Sequence, residues 1–265
     1  MDIDSAFSIG SSHIVCQDYA IADNDSKSII VCDGCSSSEN TDIGSRLLAL
    51  CTKTCLEEYQ IFSKDIIIEK IKMYSRLLKL TYSTFDSTLM VVKKNNDILN
   101  INIIGDGILV FEKEKTLVIN DFVCENNYPP YLSYNLNEER KKNLINTDEI
   151  KHKRTIIEKE NHLNIWGLEN DFLNIESFYI AMDNDFKSVT LFSDGIHSFG
   201  KRDEMGIFKP LNFIDIIFEL MDFKSTTGKF IQRRLNRFEK DCKKRGWEHY
   251  DDLSMATIYL KEDEI

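Results

Sequence analysis

Proline is scarce in this 265-residue chain (3 residues), tryptophan scarcer (2), and glycine only moderate (11). This excludes collagen-like repeats and Pro/Gly-rich disorder, and no Ser/Gly/Pro-rich tract marks a linker. No apolar run approaches the roughly 20 residues of a membrane span. The opening MDIDSAFSIGSSH lacks the basic-then-apolar order of a secretory signal. Positive charge is in deficit: Lys+Arg 33 against Asp+Glu 44 gives a net −11, a field that repels phosphate-rich polymers and argues against nucleic acid as a partner. No GxGxxG follows a strand and no P-loop motif is present, so nucleotide-binding folds of those types have no support. No serine sits in a GxSxG context, which disfavours a Ser/His/Asp hydrolase. The seven cysteines are an odd number in a chain too long to need disulfide staples, and read as reduced thiols of a cytoplasmic protein.

What is present is ordinary globular composition, 42% hydrophobic and 29% charged, without internal repeats. Short extended pieces at Phe7 to His13 and Asp18 to Ala22 precede a buried strand, Ser28 to Cys32. Helical spacing of Ile43, Leu47, Leu48, Cys51, Cys55 and Leu56 predicts a helix from Asp42 to Tyr59, with capping oxygens at Asn40 to Asp42. A second amphipathic helix is expected from about Asp65 to Leu80. The period then changes to that of a β-meander, with a polar turn at Asn95 to Asp97. The stretch from Glu125 to Glu169 is polar and weakly periodic; it predicts a loop and a short helix near Asn137 to Asn143. Strands return at Phe178 to Met182 and Ser188 to Gly195, two helices follow, and Leu253 to Leu260 closes the chain as a strand. Consecutive strands and paired helices indicate an α+β protein with antiparallel sheets covered by helices.

The surplus acid concentrates at strand ends. Ser28 to Cys32 runs into Asp33-Gly34, Ile98 to Ile104 into Gly105-Asp106-Gly107, Ser188 to Ser193 into Asp194-Gly195, and Asp251-Asp252 precedes the last strand; Asp18 lies near the first strands. A strand is a rigid mount for a carboxylate, and an adjacent Gly lets its backbone carbonyl approach a cation. Converging carboxylates repel unless a divalent cation neutralises them, and oxygen-only ligands select Mg²⁺ or Mn²⁺ over Zn²⁺. Two such ions could activate a water for in-line phosphoryl transfer. Asp-Gly is also a common solvated turn; the recurrence at strand boundaries is what favours a site.

The segments GSSH with CQDYA, IIVCDGCSSSENTDIGSRLL, FDSTLMVV, IIGDGILVF, VTLFSDGI and DDLSMATIYL resemble, in order, the motifs of the metal-dependent protein serine/threonine phosphatases of type 2C. The bacterial subgroup beginning G-x-S-H…C-Q-D is most similar, and the likeness spans Gly10 to Leu260. It implies an αββα sandwich, two antiparallel sheets face to face with helix pairs outside, read as one domain over 1–265. It also implies hydrolysis of phosphoserine or phosphothreonine by a water activated at a dinuclear Mg²⁺/Mn²⁺ centre, with no phosphoenzyme. By the same resemblance Asp33 bridges the two ions, the Gly34 carbonyl binds one, Asp194 and Asp251 hold the other, and Asp18 acts through a water. Asp106 with Asp194 would take a weaker third ion. Asp33, Asp194 and Asp251 are thus the expected catalytic residues. The implied partners are a phosphoprotein and a cognate serine/threonine kinase, with no membrane and no nucleic acid, for a monomer. Three departures stand out. His13 replaces the arginine that grips the substrate phosphate, Gln17 replaces an acidic residue, and DGCSS replaces DGxGG, placing Cys35 near the cations. His13 and Gln17 leave open the alternative of a catalytically silent binding or regulatory module.

Other features carry less. Cys32/Cys35 and Cys51/Cys55 have near-ribbon spacing, but Cys32 lies in an apolar strand and the latter pair on an apolar helix face, so buried thiols outweigh structural zinc. His197 is expected to be structural, and His152, His162 and His249 exposed. The basic run Lys229 to Arg245 reads as a solvated helix face, and 125–169 could form a substrate-selecting flap.

Overall fold

The structure is a computed structural model that describes residues 1–260 apart from 125, 127, 144–146, 148–149, 160–162 and 173–175. Two antiparallel sheets hold the chain together. The larger has the order β1-β15-β11-β6-β7-β8-β9 and the smaller β10-β5-β4-β3-β2, with β10 at Glu176–Ala181. The strands that matter below are β1 (Asp2–Ser8), β2 (Tyr19–Asp23), β3 (Ser28–Cys32), β4 (Leu89–Asn95), β5 (Ile98–Ile104), β6 (Gly107–Lys113), β7 (Thr116–Cys124), β11 (Phe186–Phe192) and β15 (Leu253–Tyr259). Helices α1 (Thr41–Tyr59) and α2 (Lys64–Leu78) cover the smaller sheet, while α4 (Phe213–Met221) and α5 (Phe230–Arg245) cover the larger.

Alternation within single strands shows why four layers form. On β3, Ile29 and Val31 point into the core between the sheets, whereas Ile30 and Cys32 point into the core beneath α1 and α2. On β6, Leu109 and Phe111 face the inter-sheet core and Ile108 and Val110 face α4 and α5. Strands buried on both faces are apolar at most positions, so these antiparallel strands read as near-continuous apolar runs rather than alternating ones. Leu48 of α1 is wholly buried, and its truncation to Ala would cost about 2–5 kcal/mol.

Several local expectations are corrected. Asn40, at the start of α1, is left-handed (φ 56°) and makes no side-chain cap; the Thr41 hydroxyl donates instead to the Cys35 carbonyl at 3.1 Å. Helix α5 is capped from afar, since the Ile231 amide donates to buried Asp4 of β1 at 2.7 Å. The first strand is Asp2–Ser8 rather than a piece starting at Phe7. Within 125–169 the short helix α3 is present at Glu138–Lys141, but strands β8 (Ile150–Glu158) and β9 (Leu163–Phe172) extend the large sheet where a loop was expected. Only Ile150 and Ile157 of β8 are buried, which explains its weak apolar signal. Part of 125–169 and His162 lie outside the described residues. A third, three-stranded sheet of β12 (Phe199–Arg202), β13 (Phe208–Pro210) and β14 (Trp247–His249) was not anticipated.

Candidate active site

Strand register brings the aspartates to one end of the two sheets. Tyr19 pairs with Cys32, so Asp18 and Asp33 flank the same end of the β2–β3 hairpin. The Thr88 amide donates to the Asp33 carbonyl at 2.8 Å, and the Asp33 amide donates to the Thr88 hydroxyl at 3.1 Å. Ile104 ends β5 in the small sheet and Gly107 begins β6 in the large one, so Asp106 sits where the chain crosses between sheets. Gly105 (φ 91°) and Gly107 (φ 137°) make that crossing, a backbone that residues with a Cβ rarely adopt. In the large sheet Phe192 pairs with both Ile108 and Met255, which delivers Asp194 beside Asp106 and the start of β15. The turn at Gly195 packs so closely on the Asp252 carbonyl that a Cβ would lie 1.7 Å from it.

The result is a cleft of about 170 Å³ lined by His13, Asp33, Gly34, Asp106, Asp194 and Asp251, with Cys35, Ser36, Ser37, Thr88, Pro129 and Tyr131 completing its walls. Asp18 is fully buried beneath it. Neither carboxylate oxygen of Asp18, nor Oδ1 of Asp194, has a hydrogen-bond partner. Burial raises the Asp18 carboxyl to about 7; the Ser193 and Ser254 hydroxyls lie near enough to oppose this without reaching hydrogen-bond geometry. Asp33 is pushed well up, first by burial and then by the charges of Asp18 and Asp194. Asp106 is raised by burial and then by Asp194, and Asp251 likewise by burial and Asp194, with His13 opposing. Buried, unpartnered carboxylates that raise one another's pKa are what an oxygen-ligated divalent cation would relieve. The donor set fits such an ion.

Asp251 and Asp252 divide the work of their pair. Asp251 faces the cleft, whereas Asp252 is buried and accepts from the Gly10 amide at 2.7 Å and the Gln17 amide at 2.6 Å. Asp252 also lies against His13, with Nδ1 2.9 Å from its Oδ2 but outside hydrogen-bond geometry, and His13 Nε2 is 3.7 Å from Asp251. Gln17 turns away from the cleft, its Nε2 donating to the Thr41 hydroxyl at 2.9 Å; its amide and side chain serve the fold.

Sequence reasoning named Asp252 only as the member of its pair passed over for Asp251, and overlooked Thr88, Tyr131 and buried Asp121. Thr88 is the threonine of the recognised Asp86-Ser87-Thr88 segment and could have been found; Tyr131 lies in the aperiodic stretch and carries no signal. Asp86 clamps that stretch beside the cleft: it pairs with Arg140 and accepts from the Ser133 hydroxyl at 2.5 Å and the Ser38 hydroxyl at 2.9 Å. His197 is structural as expected, with Nε2 3.2 Å from Asp121 and its ring 4.5 Å from that of Phe213. His152 and His249, expected in solvent, instead stack on Phe122 and Phe199. All seven cysteines are free thiols; Cys32, Cys51 and Cys55 fill the helix–sheet core while Cys35 faces the cleft, which separates the would-be zinc ligands.

A second acidic group, Asp23, Asp25 and Glu57, brings oxygens within 4.8 Å of one another. Lys53 already occupies it, with Nζ 3.2 Å from Asp23 and 2.8 Å from Glu57. No described helix is long and apolar enough to cross a membrane.

Residues 9–238 match the family model for protein phosphatase 2C. No curated protein matches the sequence. Among solved structures, a substituted form of a bacterial serine phosphatase superposes with a TM-score of 0.59 at 10% identity, covering 98% of this chain and 99% of that one. The Mycobacterium tuberculosis serine/threonine phosphatase PstP/Ppp gives 0.53 at 11% identity over 98% and 100% of the two chains. Serine/threonine phosphatase Stp1 from Staphylococcus aureus gives 0.52 at 10% over 98% and 96%. At such identities these likenesses concern the fold.

Proposed function

The chain belongs to the protein phosphatase 2C family and is a protein serine/threonine phosphatase, and on that premise we propose that it hydrolyses phosphoserine and phosphothreonine at the carboxylate cleft. One observation carries the assignment of the site. Five aspartates (18, 33, 106, 194 and 251) converge at one end of two sheets, and Asp18 and Asp194 hold buried oxygens without a hydrogen-bond donor.

The family is metal-dependent, and here Asp18, Asp33, the Gly34 carbonyl, Asp106, Asp194 and Asp251 would hold Mg²⁺ or Mn²⁺, two ions and a weaker third. Bound, the ions would cancel carboxylate repulsion, lower the pKa of a water and offset charge on the phosphoryl oxygens. The protein's own residues do the rest. Strand-mounted Asp33, Asp194 and Asp251 are catalytic through the fixed positions they give their carboxylates, which leaves little side-chain entropy to lose on binding. Asp252 orients His13 so that Nε2 faces the cleft, where a ring nitrogen can donate to a substrate phosphate. Imidazole offers one such bond where an arginine fork offers two. Tyr131 and Pro129 wall the cleft from the 125–169 side, and we assign that segment to substrate selection. We read the chain as one phosphatase domain, 1–265, that acts as a cytoplasmic monomer against a serine/threonine kinase.

The test is hydrolysis of p-nitrophenyl phosphate. Activity should require Mn²⁺ or Mg²⁺, stop with EDTA and disappear in Asp194→Asn. Metal binding without turnover of the ester or of any phosphopeptide would sink the reading in favour of a silent regulatory module.

A further inference from the structure

Beside the cleft, and sharing His13 with it, runs an open groove of about 920 Å³ between the 9–16 loop and the α5–β14 region. Its rim is unusually apolar. Ile14 is 97% exposed, Val15 52% and Ile9 45%, three aliphatic side chains within seven residues that follow or precede the phosphate-facing histidine. Trp247 and His249 form part of the opposite wall. Scattered apolar residues on a surface need no explanation, but three that line one groove beside a reactive cleft point to a contact surface.

The loop that bears them is held in place. Its Gly10 and Gln17 amides donate to Asp252, and the Ser11 and Ser12 amides donate to the carbonyls of His249 and Tyr250 at 2.9 and 3.1 Å. Ile14 and Val15 lie between these anchors, so they are presented in one arrangement and a partner has little loop entropy to remove. Charge offers the groove little selectivity. Asp42, Glu239 and Glu248 oppose Arg46 and Lys243 along it. Arg46 is already taken up, stacked 5.4 and 5.1 Å from the Phe7 and Tyr19 rings, and Glu248 pairs with Arg202 at 2.7 Å.

We propose that this groove receives the protein segment flanking the phosphorylated residue and selects an aliphatic or aromatic side chain one to three positions from it. The inference rests on the phosphatase reading. A phosphorylated side chain entering past His13 leaves its neighbours over Ile14 and Val15, and three extended residues reach about 10 Å, enough to enter the groove.

The experiment uses the full chain with Mn²⁺ and paired phosphoserine peptides that differ only in Leu or Ala at those positions. p-Nitrophenyl phosphate serves as the ester too small to reach the groove. The wild-type protein should prefer the Leu peptide about tenfold in kcat/KM, and Ile14→Asp should erase that preference through KM while leaving ester hydrolysis within about twofold. Ile14→Leu should retain it. Ester turnover without any peptide preference, or an equal loss on ester and peptides in Ile14→Asp, overturns the groove and leaves the phosphatase reading standing. Fluorescence anisotropy of the same labelled peptides gives the converse discrimination. Leu-peptide binding that depends on Ile14 with no turnover of either substrate would uphold the groove and remove the enzyme.

Discussion

The β2–β3 hairpin carries a carboxylate cluster at each end, and the protein treats the two in opposite ways. At the turn end Asp23 receives the Ser26 amide at 2.9 Å, the Ser26 hydroxyl and the Lys53 ammonium. Burial pushes its carboxyl up, yet these partners together outweigh burial and hold it below the ordinary range. At the other end Asp18 and Asp33 meet Asp106, Asp194 and Asp251 with the His13 imidazole nearby, and burial, then carboxylate repulsion, pushes the carboxyls of Asp18, Asp33, Asp106 and Asp251 up. Both clusters gather several acids, three at the first and five at the second. What separates them is whether the chain supplies its own cation: Lys53 does so for the first cluster, and among the described residues no Lys or Arg pairs with the second.

That contrast can be broken by substitution, and the largest effect falls on catalysis. Asp33→Asn should cut Mn²⁺-dependent p-nitrophenyl phosphate hydrolysis by about a thousandfold or more, whereas Asp23→Asn should leave it within about twofold. Comparable losses in both variants would mean that the clusters do not differ as described.

Stability should respond next. Adding Mn²⁺ to EDTA-treated protein at about a hundred times its Kd should stabilise the fold by about 2.7 kcal/mol, a rise of several degrees in the melting temperature by calorimetry. Asp33→Asn should abolish the rise and Asp23→Asn preserve it.

A smaller effect sharpens the comparison from the other side. Lys53→Met removes the built-in cation, which should cost about 1 kcal/mol in EDTA. It should also give Asp23, Asp25 and Glu57 a weak millimolar-range stabilisation by Mg²⁺ that the parent lacks at this cluster, so that Asp33→Asn/Lys53→Met regains a Mg²⁺-dependent shift. A double variant indifferent to Mg²⁺ would refute the idea that Lys53 alone neutralises this cluster.

The smallest effect is in pH. The Asp23 carboxyl is depressed in the fold, so its contribution is present above its unfolded value, near 3.8, and fades as pH falls through the lower folded value. The difference in melting temperature between wild type and Asp23→Asn should therefore be constant from pH 5 to 7 and shrink below about pH 4. A difference that grows on acidification would reverse the sign assigned here.

Much of the fold was legible because burial on both faces wrote the inner strands as largely apolar runs, three of which (β3, β5 and β11) lead into an aspartate. Helices α1, α2, α4 and α5 were legible for a related reason, each presenting one apolar stripe to a sheet. The hairpin at Asn95 to Asp97 was found because a left-handed turn selects residues such as Asn96 (φ 50°). Strands β8 and β9 were missed because the outer end of the large sheet has little cover over β8, so few of its positions need be apolar. The expected capping of α1 failed because the Thr41 hydroxyl is drawn to the Cys35 carbonyl beside the cleft, a contact that sequence spacing does not encode.

The chain alone specifies which residues can chelate: aspartates at the ends of apolar runs, with glycines that let the backbone turn. Residue type and strand period are local properties, and local physics suffices to read them. Which of those acids remain uncompensated is decided only when distant segments meet. Lys53 reaches Asp23 across a helix–sheet contact, and Asp252 rather than Asp251 takes the amides of Gly10 and Gln17, more than 230 residues away in sequence. The cleft exists because two sheets end at the same level and the chain crosses between them at Asp106, so its unpaired charge is a property of tertiary packing.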